Sequence, residues 1–232
     1  MPSVLVTGSN RGLGLEWCRQ YAAAGWRVYA TCRHPDRADA LKMLAQEHPG
    51  VSLHRLDVTA ADQLAGIAAE LADTPLDLLV NNAGVYFERW DRDPLGAIDY
   101  GAWEETFRVN TLGAVRVTEA LADNLARGER PLVATITSHM GSIAEIGSPR
   151  SYAYRSSKAA LNATMKGLAL ELQGRGVGVL LLHPGWVKTR MGGADAPHEV
   201  DKSVHGMRQL IERFRPDDSG HFYRWDGTTI PW

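Results

Sequence analysis

Short apolar runs alternate with amphipathic stretches along the whole chain. The runs fall at Ser3 to Val6, Arg27 to Thr31, Val51 to Leu56, Leu76 to Val80, Leu132 to Thr137, Val177 to Leu182 and His221 to Trp225. They are rich in Val, Leu and Ile, the pattern of strands covered on both faces. Between them, apolar positions recur at helical spacing over about Gly12 to Ala24, Arg37 to Gln46, Ala61 to Ala72, Ala102 to Ala126 and Tyr152 to Gln173. Several of these stretches end near glycine, at Gly25, Gly128 and Gly174. Strands alternating with helices predict a parallel sheet of about seven strands with right-handed crossovers, a doubly wound α/β fold in three layers. The 232 residues read as a single domain, 1–232, without repeat or interdomain linker. Arg190 to Pro197 is irregular and is followed by a short helical pattern from Ser203 to Phe214, which predicts a small lid at about 190–214.

Ligands of such sheets sit beyond the carboxyl ends of the strands, so residues just after each strand are the candidates for function. The first such turn reads Thr7-Gly8-Ser9-Asn10-Arg11-Gly12-Leu13-Gly14 and opens a helical pattern. Glycine permits a sharp turn and close approach to a pyrophosphate, and the N–H groups of the following helix face the phosphate charge. The strand, turn and helix predict a Rossmann-like dinucleotide site. After the fifth strand stands Ser138, whose hydroxyl could hydrogen-bond a substrate carbonyl, with Ser142 as a local competitor. Tyr154 and Lys158 are four apart near the start of a helix and share a face, so an ammonium is expected to lower the phenol's pKa and make it a usable acid or base. Asn110 lies inside a helical pattern that propensity alone does not favour for Asn.

Charge narrows the partners. With 25 basic and 27 acidic residues the net charge is −2, and no basic run stands apart, so nucleic acid and anionic membrane surfaces are not expected. The longest apolar run, Val179 to Leu182, is too short to cross a bilayer, and the first strand begins almost at Met1, which leaves no room for a signal peptide. A cytoplasmic protein is expected, with Cys18 and Cys32 reduced. The eight histidines form no ligand motif, so no catalytic metal is expected.

Taken in order, T-G-x-x-x-G-x-G at Thr7 to Gly14, Asp57-Val58, Asn81-Asn82-Ala83-Gly84, Asn110, Ser138, Tyr154 with Lys158, and Pro184-Gly185 resemble the short-chain dehydrogenase/reductase family over nearly the whole chain. Met140-Gly141-Ser142-Ile143, His183-Pro184-Gly185-Trp186 and Ile230-Pro231-Trp232 look like its carbonyl-reductase and C-factor-like branch. Ser138 and Tyr154 stand farther apart than is usual there, so an insertion must loop out near Ser148-Pro149, and Ser142 stays open as the carbonyl-binding serine. The resemblance implies hydride transfer between a nicotinamide and a carbonyl or alcohol, with Tyr154 passing the proton, Ser138 holding the oxygen, Lys158 also binding the nicotinamide ribose, and Asn110 positioning a water. It further implies that Asp57 and Val58 meet the adenine, that Asn81, Ala83 and Gly84 shape the cofactor floor, and that Pro184, Gly185, Val187 and Thr189 hold the carboxamide side.

NAD enzymes place an acid at the end of the second strand, whereas NADP enzymes use basic groups. By resemblance Cys32 holds that position, followed by Arg33, and with Arg11 from the glycine turn this predicts NADP(H). Tyr86, Phe87, Met140, Trp186 and Met191 are expected to line an apolar pocket for a ketone, aldehyde or quinone. Small residues at Ala159, Ala160, Ala163 and Gly167 allow close helix approach, and the family often dimerises there, so a homodimer is expected. The competing reading is a regulatory protein that binds dinucleotide with little turnover.

Overall fold

The computed structural model describes residues 1–88 and 94–232. Its centre is one parallel sheet of seven strands, β1 (Ser3–Thr7), β2 (Arg27–Cys32), β3 (Val51–Arg55), β4 (Leu78–Asn81), β5 (Leu132–Ile136), β6 (Gly178–His183) and β7 (His221–Arg224), in the order β3-β2-β1-β4-β5-β6-β7. Successive side chains on a strand point to opposite faces, and here both faces are covered. Leu5, Leu79, Val133 and Val179 belong to one core, with Leu64 and Ile67 of α3 (Ala61–Glu70), Val117 of α5 (Ala114–Ala120) and Leu161 and Met165 of α7 (Tyr152–Gln173). Their neighbours Val4, Val6, Leu78, Val80 and Leu132 belong to the other, with Trp17 and Tyr21 of α1 (Gly12–Ala23) and Leu41 of α2 (Asp39–Glu47). This double burial is why the strands read as continuous apolar runs.

Two expected elements come out differently. The long pattern from Ala102 to Ala126 is not one helix: α4 (Tyr100–Phe107) passes into a π-helical turn, Arg108–Gly113, before α5, and α6 (Ala122–Ala126) follows. Asp99 caps α4 by accepting from the amide of Ala102 at 2.9 Å. Wide turns of this kind add a residue and re-aim the side chains around them, and they frequently occur at functional sites. The lid expected at about 190–214 divides: its helical part is α8 (Val200–Glu212), which buries Val204 and Met207 in the second core and docks on α1, Arg208 donating to the carbonyl of Gln20 at 3.1 Å. A helix holding two core side chains is part of a layer.

The strand order reverses direction between β1 and β4, and there the two strand ends are stapled together. Thr7 Oγ1 accepts from the amides of Asn82 and Ala83, both at 3.0 Å. The Asn82 side chain donates back to the carbonyls of Thr7 at 2.8 Å and Gly8 at 3.2 Å. Gly8 and Gly12 have φ of +68° and +53°, left-handed values that glycine adopts freely. Gly14 fits where nothing larger would, because a Cβ there would stand 2.1 Å from the Gly8 carbonyl oxygen and 2.6 Å from Asn82 Nδ2. Gly14→Ala is therefore expected to cost about 1–3 kcal/mol, as overpacking typically does, and to weaken dinucleotide binding; thermal denaturation with and without added NADPH checks both.

Candidate active site

Long-range tethers place the four candidate catalytic side chains. Tyr154 and Lys158 stand one turn apart on the first turns of α7, with Lys158 Nζ 5.8 Å from the centroid of the Tyr154 ring. The ammonium is buried and donates to the carbonyl of Ile136, the last residue of β5, at 2.9 Å. Burial lowers its pKa to about 8. Ser138, two residues farther along, accepts from the amide of Met140 at 3.1 Å, and its side chain stands near enough to Tyr154 to act on the phenol. Ser142 is taken up elsewhere: fully buried, it donates to the carbonyl of Trp232 at 3.2 Å and accepts from the amide of Glu145 at 3.3 Å. Of the two serines, the structure thus sets Ser138 beside the phenol. The longer spacing between Ser138 and Tyr154 is absorbed by residues 143–149, all exposed.

The Tyr154 pKa runs against expectation. Burial pushes the phenol up to about 12; the nearby Ser138 hydroxyl pulls it partway back, and the neighbouring Tyr86 adds to the rise. Lys158 does not offset this, since its Nζ faces the Ile136 carbonyl and is itself desolvated. The resting group is a neutral phenol, suited to donate a proton.

Asn110 sits in the π-helical turn and is buried. Its Oδ1 accepts from Val85 N at 2.8 Å, and its Nδ2 donates to Val85 O at 2.9 Å and Ser157 Oγ at 3.1 Å. The amide joins the loop after β4 to α7, and Gly84 packs close by, its Cβ position 3.3 Å from Asn110 Oδ1 and 3.8 Å from Lys158 Nζ. Both donors of Nδ2 are spent on protein, so the water-positioning role implied by resemblance is left to the remaining acceptor capacity of Oδ1.

Several residues expected to contact the cofactor also make bonds within the scaffold. Ser9 is fully buried, donating its hydroxyl to Val6 O at 2.7 Å and its amide to Thr31 O at 3.0 Å. The Asn81 side chain donates to Thr118 on α5 at 2.9 Å, while that of Asn82 donates to Thr7 O at 2.8 Å. Val58 and Val187 are buried, Val58 against Gly113. Asp57 accepts from the Thr59 amide and hydroxyl at 2.9 and 2.7 Å. Burial alone would raise its pKa, but the Thr59 bonds and the charges of Arg33 and Arg108 outweigh it and hold the carboxyl below its usual range. Asn10 and Arg11 are exposed and Leu13 half-buried on the glycine turn. Ala83 and Gly84 lie at the strand end, with the Gly8 Cβ position 3.0 Å from Ala83 Cα.

Charge gathers at the adenosine end. Arg11, Arg33 and Arg190 are all exposed, and no carboxylate comes within salt-bridge distance of them among the described residues. Burial and the positive fields of Arg190 and Arg33 lower the pKa of Arg11, so both act electrostatically on the glycine-turn guanidinium. Thr189 supports this, lying against Gly12 with Cγ2 3.5 Å from the Cβ position there. The sequence did not single out Arg190, because only the fold brings the end of β6 to the glycine turn. An open glycine cradle, unpaired cations and a buried Cys32 in place of an acid fit a 2′-phosphorylated dinucleotide.

The pocket wall is less closed than expected. Tyr86 packs edge-on against Tyr154, centroids 4.8 Å apart, and shares a hydrogen bond with Ser151 Oγ at 2.9 Å. Met140 is half-buried next to Ser138, and Trp186, tied to Gly192 O at 2.6 Å, and Met191 are about half exposed. Phe87 instead lines a surface groove with Ile98, Asp99, Ala102 and Ala153.

Known proteins bear on this arrangement. C-signal of Myxococcus xanthus is 42% identical over 169 residues, 73% of this chain and 100% of that protein. The 1-hydroxy-2-glutathionyl-2-methyl-3-butene dehydrogenase of a Rhodococcus species is 34% identical over 239 residues, covering 100% of both chains. The NADPH-bound carbonyl reductase from chicken fatty liver has a TM-score of 0.92 at 32% identity, covering 100% of this chain and 99% of that one. A family model described as short chain dehydrogenase matches residues 2–199, and with the sheet order, glycine turn and Tyr154–Lys158 pair in place, this chain belongs to the short-chain dehydrogenase family.

Proposed function

We propose that this oxidoreductase is an NADPH-dependent carbonyl reductase acting on a ketone, aldehyde or quinone, with Tyr154 as the proton donor. The observation that carries the reading is the Tyr154 phenol beside Ser138, one helix turn from the buried Lys158, whose Nζ lies 5.8 Å from the phenol ring. NADPH, when bound, supplies the hydride. Ser138 and Tyr154 hold the carbonyl oxygen between two hydroxyls, and Tyr154 gives it a proton as negative charge develops there. Lys158 spends one N–H on Ile136 and offers the others to the nicotinamide ribose. Gly8, Gly12 and Gly14 let the backbone approach the pyrophosphate, while Asp57, Val58, Ala83 and Gly84 border the adenosine half and Pro184, Gly185, Val187 and Thr189 the nicotinamide half. Arg11, Arg33 and Arg190 take the 2′-phosphate.

The partners are a small carbonyl or alcohol and a second copy of the chain, for which Ala163, Gly167 and Leu170 form an exposed edge of α7. The buried, unpaired Cys18 and Cys32 suit a reducing compartment, and we place the protein in the cytoplasm. The likeness to C-signal favours a second reading, dinucleotide binding as a signal, which has no use for a phenol set against Ser138.

Initial rates of reduced-nicotinamide absorbance loss, with NADPH and NADH against a panel of aldehydes, ketones and quinones, separate the two; tight NADPH binding with no turnover across the panel would favour the signal. Tyr154→Phe is expected to lower turnover by at least about 10², the usual worth of a positioned acid, with NADPH binding retained. Arg33→Ala and Arg190→Ala are each expected to raise the NADPH KM and leave that for NADH nearly unchanged, narrowing the preference. The reductive kcat/KM is expected to fall as pH rises through about 8, where Lys158 loses its charge, while Tyr154, pushed up to about 12, stays protonated. A pH–rate profile checks the sign.

A further inference from the structure

The helix that carries Tyr154 begins without a cap of its own. Its flanking residue Ser151 has φ +55° and ψ +39°, its side chain accepts from no first-turn amide, and its hydroxyl is turned to Tyr86. Arg150 before it also has a left-handed φ of +74°. Consecutive non-glycine residues in that region are strained and persist only where surrounding contacts hold them. The first-turn N–H groups of α7 need acceptors from elsewhere.

Glu88, in the loop after β4, supplies them. One carboxylate oxygen accepts from the amide of Ala153 at 3.0 Å and the other from the amide of Tyr154 at 2.8 Å. A carboxylate is the favoured group at this end of a helix, because the aligned peptide dipoles leave it positive. The loop is anchored upstream as well: Asn110 grips both main-chain groups of Val85, and Tyr86 packs on the Tyr154 ring. Glu88 thus joins the turn that carries the phenol to the strand end that borders the dinucleotide site.

We propose that Glu88 is the positioning residue for Tyr154, setting the height and rotation of the first turn of α7 through two amide bonds and so aligning the phenol with Ser138. The inference rests on the proposed role of Tyr154, and its test separates the two.

In Glu88→Ala, hydrogen–deuterium exchange at the amides of residues 153 and 154 should speed up, and kcat per NADPH-binding site should fall by about tenfold or more, since small misplacements of catalytic groups carry large rate costs. The NADPH dissociation constant should stay within about twofold, because no dinucleotide contact is removed. Glu88→Gln, with one carbonyl oxygen left, should fall between wild type and Glu88→Ala in both readouts. Unchanged exchange in Glu88→Ala would overturn the cap, and faster exchange with kcat intact would overturn the positioning role. A loss of kcat matched by an equal loss of NADPH sites would show Glu88 to be merely structural. If Glu88→Ala does not fold, Glu88→Gln decides alone, and wild-type exchange and kcat in it would overturn the proposal. Full activity in Tyr154→Phe would remove the phenol from the mechanism, while the exchange experiment would still report on the cap.

Discussion

The site depends on the reciprocal clasp between Thr7 and Asn82. The Thr7 hydroxyl accepts two amides from the fourth strand's exit, and the Asn82 amide returns two hydrogen bonds to the glycine turn. It lies where the sheet changes winding direction, the one place where two adjacent loops run away from each other and leave a crevice. Without the clasp the strand ends could part, and both the glycine cradle and the loop leading to Val85 would lose their reference. Thr7 is buried, so its hydroxyl cannot exchange its partners cheaply, and the crevice is shaped before any ligand arrives.

Around the clasp, the chemistry is organised by desolvation. Lys158 has given up its hydration shell for one carbonyl and its neighbours, and Tyr154 is pushed toward neutrality by the same loss of water. Folding has met the desolvation cost of these groups, which is what electrostatic preorganisation requires. At the other end of the crevice the logic is opposite: Arg11, Arg33 and Arg190 stay exposed, and the positive fields of the last two act on the first. One end is dry, with its ammonium and phenol desolvated, the other wet and cationic, and the polarity of a phosphorylated dinucleotide matches both.

Much of this was legible in the residues. Both ends of the helix Tyr152–Gln173 follow from its apolar spacing, and the strands follow from their doubly buried runs to within a residue or two at each end. The Tyr154–Lys158 pair and the glycine turn carry enough local chemistry to be found without coordinates. What escaped is what depends on distant chain segments. Glu88 looks like any loop acid until α7 is seen to start beside it, and Arg190 looks like a surface cation until the sixth strand's exit meets the first. The direction of the Tyr154 pKa escaped as well, because helical spacing reports the nearby ammonium and says nothing of burial. The bond by which the Ser9 hydroxyl closes the turn on Val6 escaped for the same reason.

The wide helical turn at Arg108–Gly113 has a consequence for how this segment can change over evolutionary time. It puts the helix out of phase partway along, so that α4 lies along α7 while α5 turns Val117 into the sheet core and Asn110 points back to Val85. Removing one residue would regularise the helix and improve its local bonding, yet it would rotate one half of the segment by about 100° against the other, the angle per residue of an ordinary helix. Individual side chains here can be exchanged within the limits of packing. The number of residues cannot, and insertions or deletions between Asp99 and Ala120 fall under a constraint that substitutions do not.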